Sequence, residues 1–109
     1  MKTTGRGLEN AVIATARLYG WRIHHVRPAR TARGWRTPIS GDPGFVDFVL
    51  CRPPRCLVIE SKSGSARLSA DQRAWRDALV GCPGVEYHLV TDAMLDDDGD
   101  GNALTRLLR

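Results

Sequence analysis

The chain has 109 residues, of which 42% are hydrophobic and 26% charged, and its net charge is +4. This length suits one domain over residues 1–109, and the composition is ordinary for a globular protein, which argues against a fibrous or disordered chain. Nothing resembles a signal peptide and no apolar run approaches a transmembrane helix, so we expect a cytoplasmic protein that does not use a membrane. Three cysteines without a CxxC pair argue against a disulfide framework or a zinc site, and we expect reduced thiols.

The positive charge is unevenly distributed along the chain. Of the 16 basic residues, 14 lie at or before Arg76, whereas five aspartates cluster between Asp92 and Asp100. The first three quarters are therefore more basic than the total suggests. This favours a polyanionic partner.

The first elements are a helix, a strand and a long loop. Apolar residues recur at helical spacing from Leu8 to Tyr19, and Gly20 fits as the C-terminal stop of that helix. Trp21 to Val26 alternates well enough to predict a strand. Arg27 to Gly44 is rich in Arg, Pro, Gly and Thr and is predicted as a loop, and loops of this length are usually functional or mobile.

Two apolar segments then form a predicted hairpin. The first strand, Phe45 to Cys51, is interrupted by the charge of Asp47, and the second runs from Cys56 to Lys62. The Arg52 to Arg55 segment (RPPR) between them is predicted as the turn, because its prolines cannot donate to a ladder.

The last third of the chain adds a helix, a strand and a short helix. Ser69 is a typical N-cap for a helix from Ala70 to about Val80, Val85 to Thr91 predicts a strand, and Gly101 to Arg109 predicts a terminal helix. The order of elements therefore predicts a mixed α/β domain.

Two carboxylates and a lysine converge in the predicted hairpin. Side chains alternate along a strand, so Glu60 and Lys62 share one face, and counting outward from the turn places Asp47 opposite Glu60. Adjacent carboxylates repel unless a cation joins them, and oxygen ligands of this kind suit Mg²⁺ or Mn²⁺. A lysine there can orient or activate a metal-bound water. The alternative is a surface ion pair on an edge strand beside a solvated aspartate.

Gln72 interrupts an otherwise apolar stripe of the second helix. Leu68, Trp75 and Leu79 fall on the same stripe, so the amide faces inward and needs hydrogen-bond partners. A polar site beside Lys62 would supply them. The alternative is a residue at the margin of the stripe that bonds a backbone group.

The long loop carries Arg30, Arg33 and Arg36 at regular spacing, with Trp35 among them. Arginine contacts to phosphate with a stacking aromatic are typical of sites that hold DNA backbones and open bases. We therefore predict that these residues contact DNA. The alternative is a disordered basic loop that only aids solubility.

Asp47, followed by Glu60-Ser61-Lys62 at the end of the next strand, resembles the D…(D/E)xK core of the PD-(D/E)xK nucleases. More narrowly, the chain resembles the virus-type replication-repair nuclease (VRR-NUC) domain, which occurs as small stand-alone proteins in phages and bacteria. The resemblance runs from about Leu8 to Val90. The further segments that carry it are Glu9 in the first helix, the Tyr19-Gly20-Trp21 junction, the glycine-rich approach from Gly41 to Asp47, and Leu68-Ser69 with Gln72 and Trp75.

The segment before Asp47 departs from the family pattern. The family usually has proline immediately before the catalytic aspartate, whereas here the residue is Val46 and the nearest proline, Pro43, follows Asp42. Asp42 is therefore an alternative first ligand. Asp47 is preferred because it lies in the apolar strand leading into the hairpin.

The resemblance implies a restriction-endonuclease-like core, with a mixed central sheet of about four strands flanked by helices. It implies a Mg²⁺- or Mn²⁺-dependent DNA endonuclease in which Asp47, Glu60 and the Ser61 carbonyl bind the metal. Glu9 would complete the site directly or through water, and Lys62 would position the attacking water. Gln72 is added to the catalytic set because its amide interrupts an apolar stripe and needs polar partners near Lys62.

The resemblance also implies a substrate and an oligomeric state. Small stand-alone members act on branched DNA, with symmetric dimers resolving Holliday junctions, so we expect a homodimeric Holliday junction resolvase. The alternatives are a nuclease for flap, nicked or single-stranded DNA, and a non-catalytic DNA-binding module on the same fold.

Overall fold

A computed structural model describes residues 2–26, 29–32, 34–36 and 38–109, and at residues 29–31 and 35–36 it describes the backbone alone. Within these ranges the helices are α1 (Gly5–Leu18), α2 (Ala70–Val80) and α3 (Ala103–Leu108). The strands are β1 (Arg22–His25), β2 (Ala29–Thr31), β3 (Gly34–Arg36), β4 (Phe48–Arg52), β5 (Arg55–Lys62) and β6 (Glu86–Thr91), and a 3-10 helix spans Asp92–Leu95. No helix in the described part of the chain is long and apolar enough to cross a membrane.

The main sheet has four strands in the order β1-β4-β5-β6. β4 is antiparallel to both β1 and β5, whereas β5 and β6 are parallel. The expected mixed α/β fold, with a four-stranded mixed sheet flanked by helices, is confirmed. β5 lies inside the sheet with its segment Leu57 to Glu60 fully buried, which explains why it reads as a nearly continuous apolar run.

The two faces of the sheet are covered by different helices. α1 begins at Gly5 because Thr4 caps it, accepting a hydrogen bond from the Gly7 N–H at 3.0 Å. The helix buries one stripe against the sheet and α3, where the core residues are Leu8, Val12, Ala16, Trp21, Phe48, Leu50, Leu57, Ile59, Val90, Leu104 and Leu108. Side-chain alternation along β5 directs Val58 and Glu60 to the other face. The hydrogen bond between Gln72 and Glu60 shows that α2 lies on that face.

The arginines of the hairpin turn fix the C-terminal helix. Arg52 donates from Nη1 to the carbonyls of Tyr19 at 2.9 Å and Leu108 at 3.0 Å, and its guanidinium lies 4.3 Å from the centre of the Trp21 ring. The Trp21 indole donates to the same Leu108 carbonyl at 2.7 Å. Arg55 donates to Leu107 O at 3.2 Å. These two basic residues therefore stabilise the fold at the turn end of the hairpin, away from Asp47 at its other end.

Arg55 also forms a fork-like ion pair with Glu86 of β6. Its Nε and Nη2 donate to the two carboxylate oxygens at 2.8 and 2.9 Å. This pairing holds the pKa of Glu86 at about 2, well below its usual range. The pair ties the hairpin to the neighbouring parallel strand.

Several predicted elements differ from the structure in their bounds or their type. The segment from Arg27 to Gly44, predicted as a loop, contains a two-stranded ribbon in which Ala29 pairs with Arg36, and Gly34 (φ 99°) begins its second strand. The strand predicted from Phe45 begins only at Phe48, because the Asp47 side chain takes the Ser61 N–H. The terminal helix begins at Ala103, because the Asn102 side chain caps it by accepting from the Thr105 N–H at 2.8 Å.

Candidate metal and catalytic site

The hairpin register brings the two carboxylates together. Phe48 pairs with Ile59 and Cys51 with Cys56, so the residue before β4, Asp47, lies opposite Glu60. The Asp47 carboxylate is close enough to Glu60 to raise the pKa of that side chain. The placement of Asp47 opposite Glu60, predicted from the RPPR turn, is therefore confirmed.

Asp47 is fixed by Ser61 rather than by strand pairing. Its Oδ2 accepts from the Ser61 N–H at 2.8 Å and from the Ser61 hydroxyl at 2.9 Å, while its own carbonyl accepts from the Val26 N–H at 3.2 Å. Because the carboxylate takes the Ser61 N–H, regular pairing of β4 with β5 stops at Phe48. This is why the strand predicted from Phe45 starts later.

Glu60 is a buried acid, with 2% of its surface exposed. Burial first, and then the neighbouring Asp47 carboxylate, raise the pKa of Glu60 to about 8, while Lys62 opposes the shift. The carboxyl therefore carries a proton at neutral pH when no cation is bound. A divalent cation would replace that proton and relieve the repulsion, so the donor set fits a hard cation.

Lys62 is the last residue of β5 and lies on the same face as Glu60, two positions along the strand. It is half-buried, and its charge opposes the rise in the pKa of Glu60 less strongly than burial and Asp47 cause it. Lys62 therefore shares the face of the sheet that carries Glu60, at the end of the strand.

Gln72 reaches the site from the first turn of α2. Its Nε2 donates to Glu60 Oε1 at 3.2 Å, and its Oε1 accepts from the Ser69 N–H at 2.9 Å. The Ser69 side chain in turn accepts from the Gln72 N–H, which completes a capping box. Both interpretations of the amide were therefore partly right, since it bonds a backbone group and also orients Glu60.

Gly44 allows the loop before Asp47 to touch α2. Its φ is 88°, and a Cβ atom built there would lie 2.6 Å from Asp71 Cβ and 2.8 Å from Gln72 N. Only a residue without a side chain permits this approach. The loop that leads to Asp47 and the helix turn that holds Gln72 are therefore in direct backbone contact.

We expect Gly44→Ala to destabilise the protein more than Gly41→Ala. Both glycines have positive φ, so each substitution incurs the left-handed backbone cost of about 1–2 kcal/mol. Gly41 has no heavy atom within 4 Å of an added Cβ, whereas Gly44 would also have to displace α2. Urea unfolding of both variants measures the difference. Equal losses would show that the contact with α2 does not constrain the loop.

Glu9 contacts a histidine on the other face of the sheet. Its Oε2 lies 3.1 Å from Nε2 of His25, whose ring stacks on Phe48 at 4.4 Å between centroids. Among the residues that the structure describes, no three His, Cys, Asp or Glu side chains form a group able to hold a metal ion. The structure thus brings Asp47 and Glu60 together, whereas the direct partner of Glu9 is His25. The predicted contribution of Glu9 to the metal site stays a prediction.

Asp42, the alternative ligand, enters the structure through its backbone. It is exposed, and its carbonyl accepts from the Trp75 indole at 3.3 Å. Trp75 contacts Phe45 edge to face at 4.8 Å. A cleft of about 370 Å³ passes between Asp42 and Asp47, and its apolar wall includes Ile39 and Phe45.

Three of the four predicted DNA-contacting residues, Arg30, Trp35 and Arg36, belong to the β2–β3 ribbon. Arg30 and Trp35 are backbone partners across it, and Arg36 pairs with Ala29. Their side chains and the whole of Arg33 are outside the described residues, so contact with DNA stays a prediction for this group.

Two polar residues escaped the sequence analysis. The Ser61 hydroxyl fixes Asp47, although only its carbonyl was expected to matter. Asp92 is 8% exposed and accepts from the Thr3 and Gly64 N–H groups at 3.4 Å each. A small polar residue between Glu60 and Lys62 was the available signal for the first, and an aspartate directly after a strand was the signal for the second.

Comparison of the chain with models of known protein families finds no match, and comparison with curated proteins finds none either. The chemical interpretation of the site therefore depends on its own geometry and on the sequence pattern.

Proposed function

We propose that the protein is a metal-dependent DNA endonuclease of the PD-(D/E)xK type, with a VRR-NUC-like domain. The observation that carries the proposal is the convergence of Asp47 and Glu60 at the end of β5, with Lys62 on the same strand. A buried carboxylate pair of this kind destabilises the fold in the absence of a cation. Its presence is therefore better explained by metal binding than by stability.

The residues that would hold Mg²⁺ or Mn²⁺ are Asp47, Glu60 and the main-chain carbonyl of Ser61, which are all oxygen donors. When bound, such an ion supplies activation of a water molecule and neutralisation of charge on the phosphodiester. The Ser61 N–H and hydroxyl orient Asp47, and the Gln72 amide orients Glu60. Both carboxylates are therefore positioned before the substrate arrives.

Lys62 has the chemistry required for the remaining role. Its ammonium group offers three hydrogen-bond donors, and the residue lies on the same face of β5 as Glu60. Such a group orients a nucleophilic water and stabilises the negative charge that develops on the phosphoryl oxygens. We assign Lys62 this role.

Branched DNA is the proposed substrate, and a Holliday junction cleaved by a homodimer is the narrower proposal. Symmetric cleavage of a four-way junction needs two equivalent sites, which a two-fold dimer provides. The cleft beside Asp47 supports DNA with unpaired bases, because Phe45 and Ile39 are 42% and 59% exposed there. Open bases can stack on an exposed aromatic and aliphatic surface, whereas the bases of an intact duplex are already stacked on each other.

The test is cleavage of labelled four-way junction, flap, nicked, single-stranded and linear duplex DNA with Mg²⁺ or Mn²⁺ and with EDTA. We expect paired symmetric cuts in the junction that disappear in EDTA. Preference for another of these substrates would keep the nuclease and change its specificity. Tight binding without cleavage of any of them would favour the non-catalytic binding module.

Lys62→Ala is expected to lower the cleavage rate by about 10²-fold or more while DNA binding in EDTA is retained. Arg67→Ala removes the same charge from an exposed position outside the site and serves as the control. Equal activity of the two variants in single-turnover cleavage would remove Lys62 from the mechanism.

A further inference from the structure

Two of the three cysteines face each other in the hairpin that carries the site. Cys51 of β4 and Cys56 of β5 are direct cross-strand partners, and their Sγ atoms are 3.7 Å apart. Both are half-buried free thiols, whereas Cys82 is exposed beyond the end of α2. The nuclease proposal assigns no role to this pair.

We propose that Cys51 and Cys56 form a redox-active dithiol that small-molecule disulfides convert to an intramolecular disulfide. The product would join β4 to β5 at the turn end of the hairpin. This inference does not rest on the proposed nuclease function, because it concerns thiols whose chemistry needs neither metal nor DNA.

The geometry permits the bond without movement of the backbone. Directly opposed residues of an antiparallel pair have Cα atoms about 4.5–5.5 Å apart, within the range of about 4.4–6.8 Å that disulfides adopt. The sulfur atoms must move from 3.7 Å to about 2.05 Å, which rotation about χ1 can achieve. The register of the hairpin is therefore compatible with both the dithiol and the disulfide.

The reaction is thiol–disulfide exchange in two steps. The thiolate of one cysteine attacks a small disulfide RSSR, forms a mixed disulfide and releases one RSH after proton uptake. The second cysteine loses its proton and attacks the protein sulfur of the mixed disulfide, which releases the second RSH. The two cysteines are oxidised by two electrons, and RSSR is reduced to two RSH. Burial raises the pKa of the Cys56 thiol, so the exchange should accelerate with rising pH.

The position of the pair separates this chemistry from the carboxylates. Cys56 precedes Glu60 by four residues on β5, a distance of about 13 Å at the usual strand rise. Oxidation should therefore leave Asp47 and Glu60 in place. It should oppose opening of the hairpin and raise Tm by several degrees.

The experiment exposes the folded protein to graded ratios of oxidised and reduced glutathione, then alkylates free thiols and measures intact and peptide masses. We expect a species that has lost the mass of two hydrogen atoms, with Cys51 linked to Cys56 and Cys82 still alkylated or carrying glutathione. Excess reduced glutathione should restore the dithiol. The Cys82→Ser variant should behave identically, which keeps the test valid if substitutions in the strands impair folding.

Cys51→Ser provides the matched control, because Cys56 can then form only a stable mixed disulfide. The proposal is overturned if Cys51 and Cys56 both remain alkylatable under conditions that load Cys82 with glutathione. It is also overturned if the linked pair includes Cys82, or if excess reduced glutathione fails to reopen the bond. Loss of DNA cleavage in the unmodified protein would bear on the nuclease proposal and leave this one intact.

Discussion

Asp47→Asn is expected to lower the rate of DNA cleavage sharply while leaving the protein folded. The amide oxygen can still accept from the Ser61 N–H and hydroxyl, so the contacts that fix this residue survive. The negative charge beside Glu60 is lost, and with it the strongest donor for a hard cation. We expect a fall of about 10²–10³-fold in the single-turnover cleavage rate, the range found when one transition-state-stabilising group is removed.

Asp42→Asn is the matched control for this change. Asp42 is exposed and contributes its carbonyl to Trp75, so the substitution alters only a solvated carboxylate. Its cleavage rate should stay within about two-fold of the unsubstituted protein, as surface substitutions usually do. Inactivity of Asp42→Asn combined with activity of Asp47→Asn would show that the first ligand has been assigned to the wrong aspartate.

Glu60→Gln is expected to stabilise the metal-free protein at alkaline pH. The pKa of Glu60 in the folded chain, about 8, lies above its ordinary value of 4.5, so the folded state holds a proton that the unfolded state has released. Stability therefore falls as pH rises from about 4.5 to about 8. Glutamine has no such proton to lose, it can still accept from Gln72, and its amide can donate to Asp47.

The measurement is urea unfolding in EDTA at pH 5 and pH 8.5. The advantage of Glu60→Gln should be small at pH 5 and of the order of a few kcal/mol at pH 8.5. Glu86→Gln is the control of opposite sign, because Arg55 lowers the pKa of Glu86 and its ionised form is stabilising. An advantage of Glu60→Gln that does not grow with pH would contradict the burial of an acid at this position.

Added Mg²⁺ or Mn²⁺ should make the unsubstituted protein more stable than Glu60→Gln, the reverse of the order expected in EDTA. A cation that binds the folded state through Glu60 raises Tm by an amount that grows with the logarithm of its concentration above Kd, and the glutamine variant lacks the charge that would attract it. Equal metal-dependent shifts for both proteins would place the cation elsewhere.

Local rules were sufficient for the hairpin and its two carboxylates. The Arg52 to Arg55 segment fixed the turn, and counting along two alternating strands then placed Asp47 opposite Glu60. Ser69 predicted the start of α2, because a serine before a helical stripe is a favourable N-cap. These features depend on residues close in sequence or paired through one turn.

The remaining features depend on contacts between distant segments. The approach of Gly44 to the first turn of α2 is a tertiary contact that no periodicity encodes. The Ser61 hydroxyl has the same property, since its bond to Asp47 exists only once the hairpin has closed. The β2–β3 ribbon was missed because short polar strands lack the apolar alternation that signals a buried strand.

The contact at Gly44 makes the cleft and the carboxylate site parts of one mechanical unit. Phe45 leans on Trp75, Gly44 touches the backbone of Gln72, and Gln72 holds Glu60. A base that entered the cleft and displaced Phe45 would also displace its neighbour Gly44, and with it the first turn of α2, whose Gln72 orients Glu60. We therefore expect binding of a base in the cleft to change the orientation of Glu60, so that binding of the nucleic acid and alignment of the reactive groups are coupled.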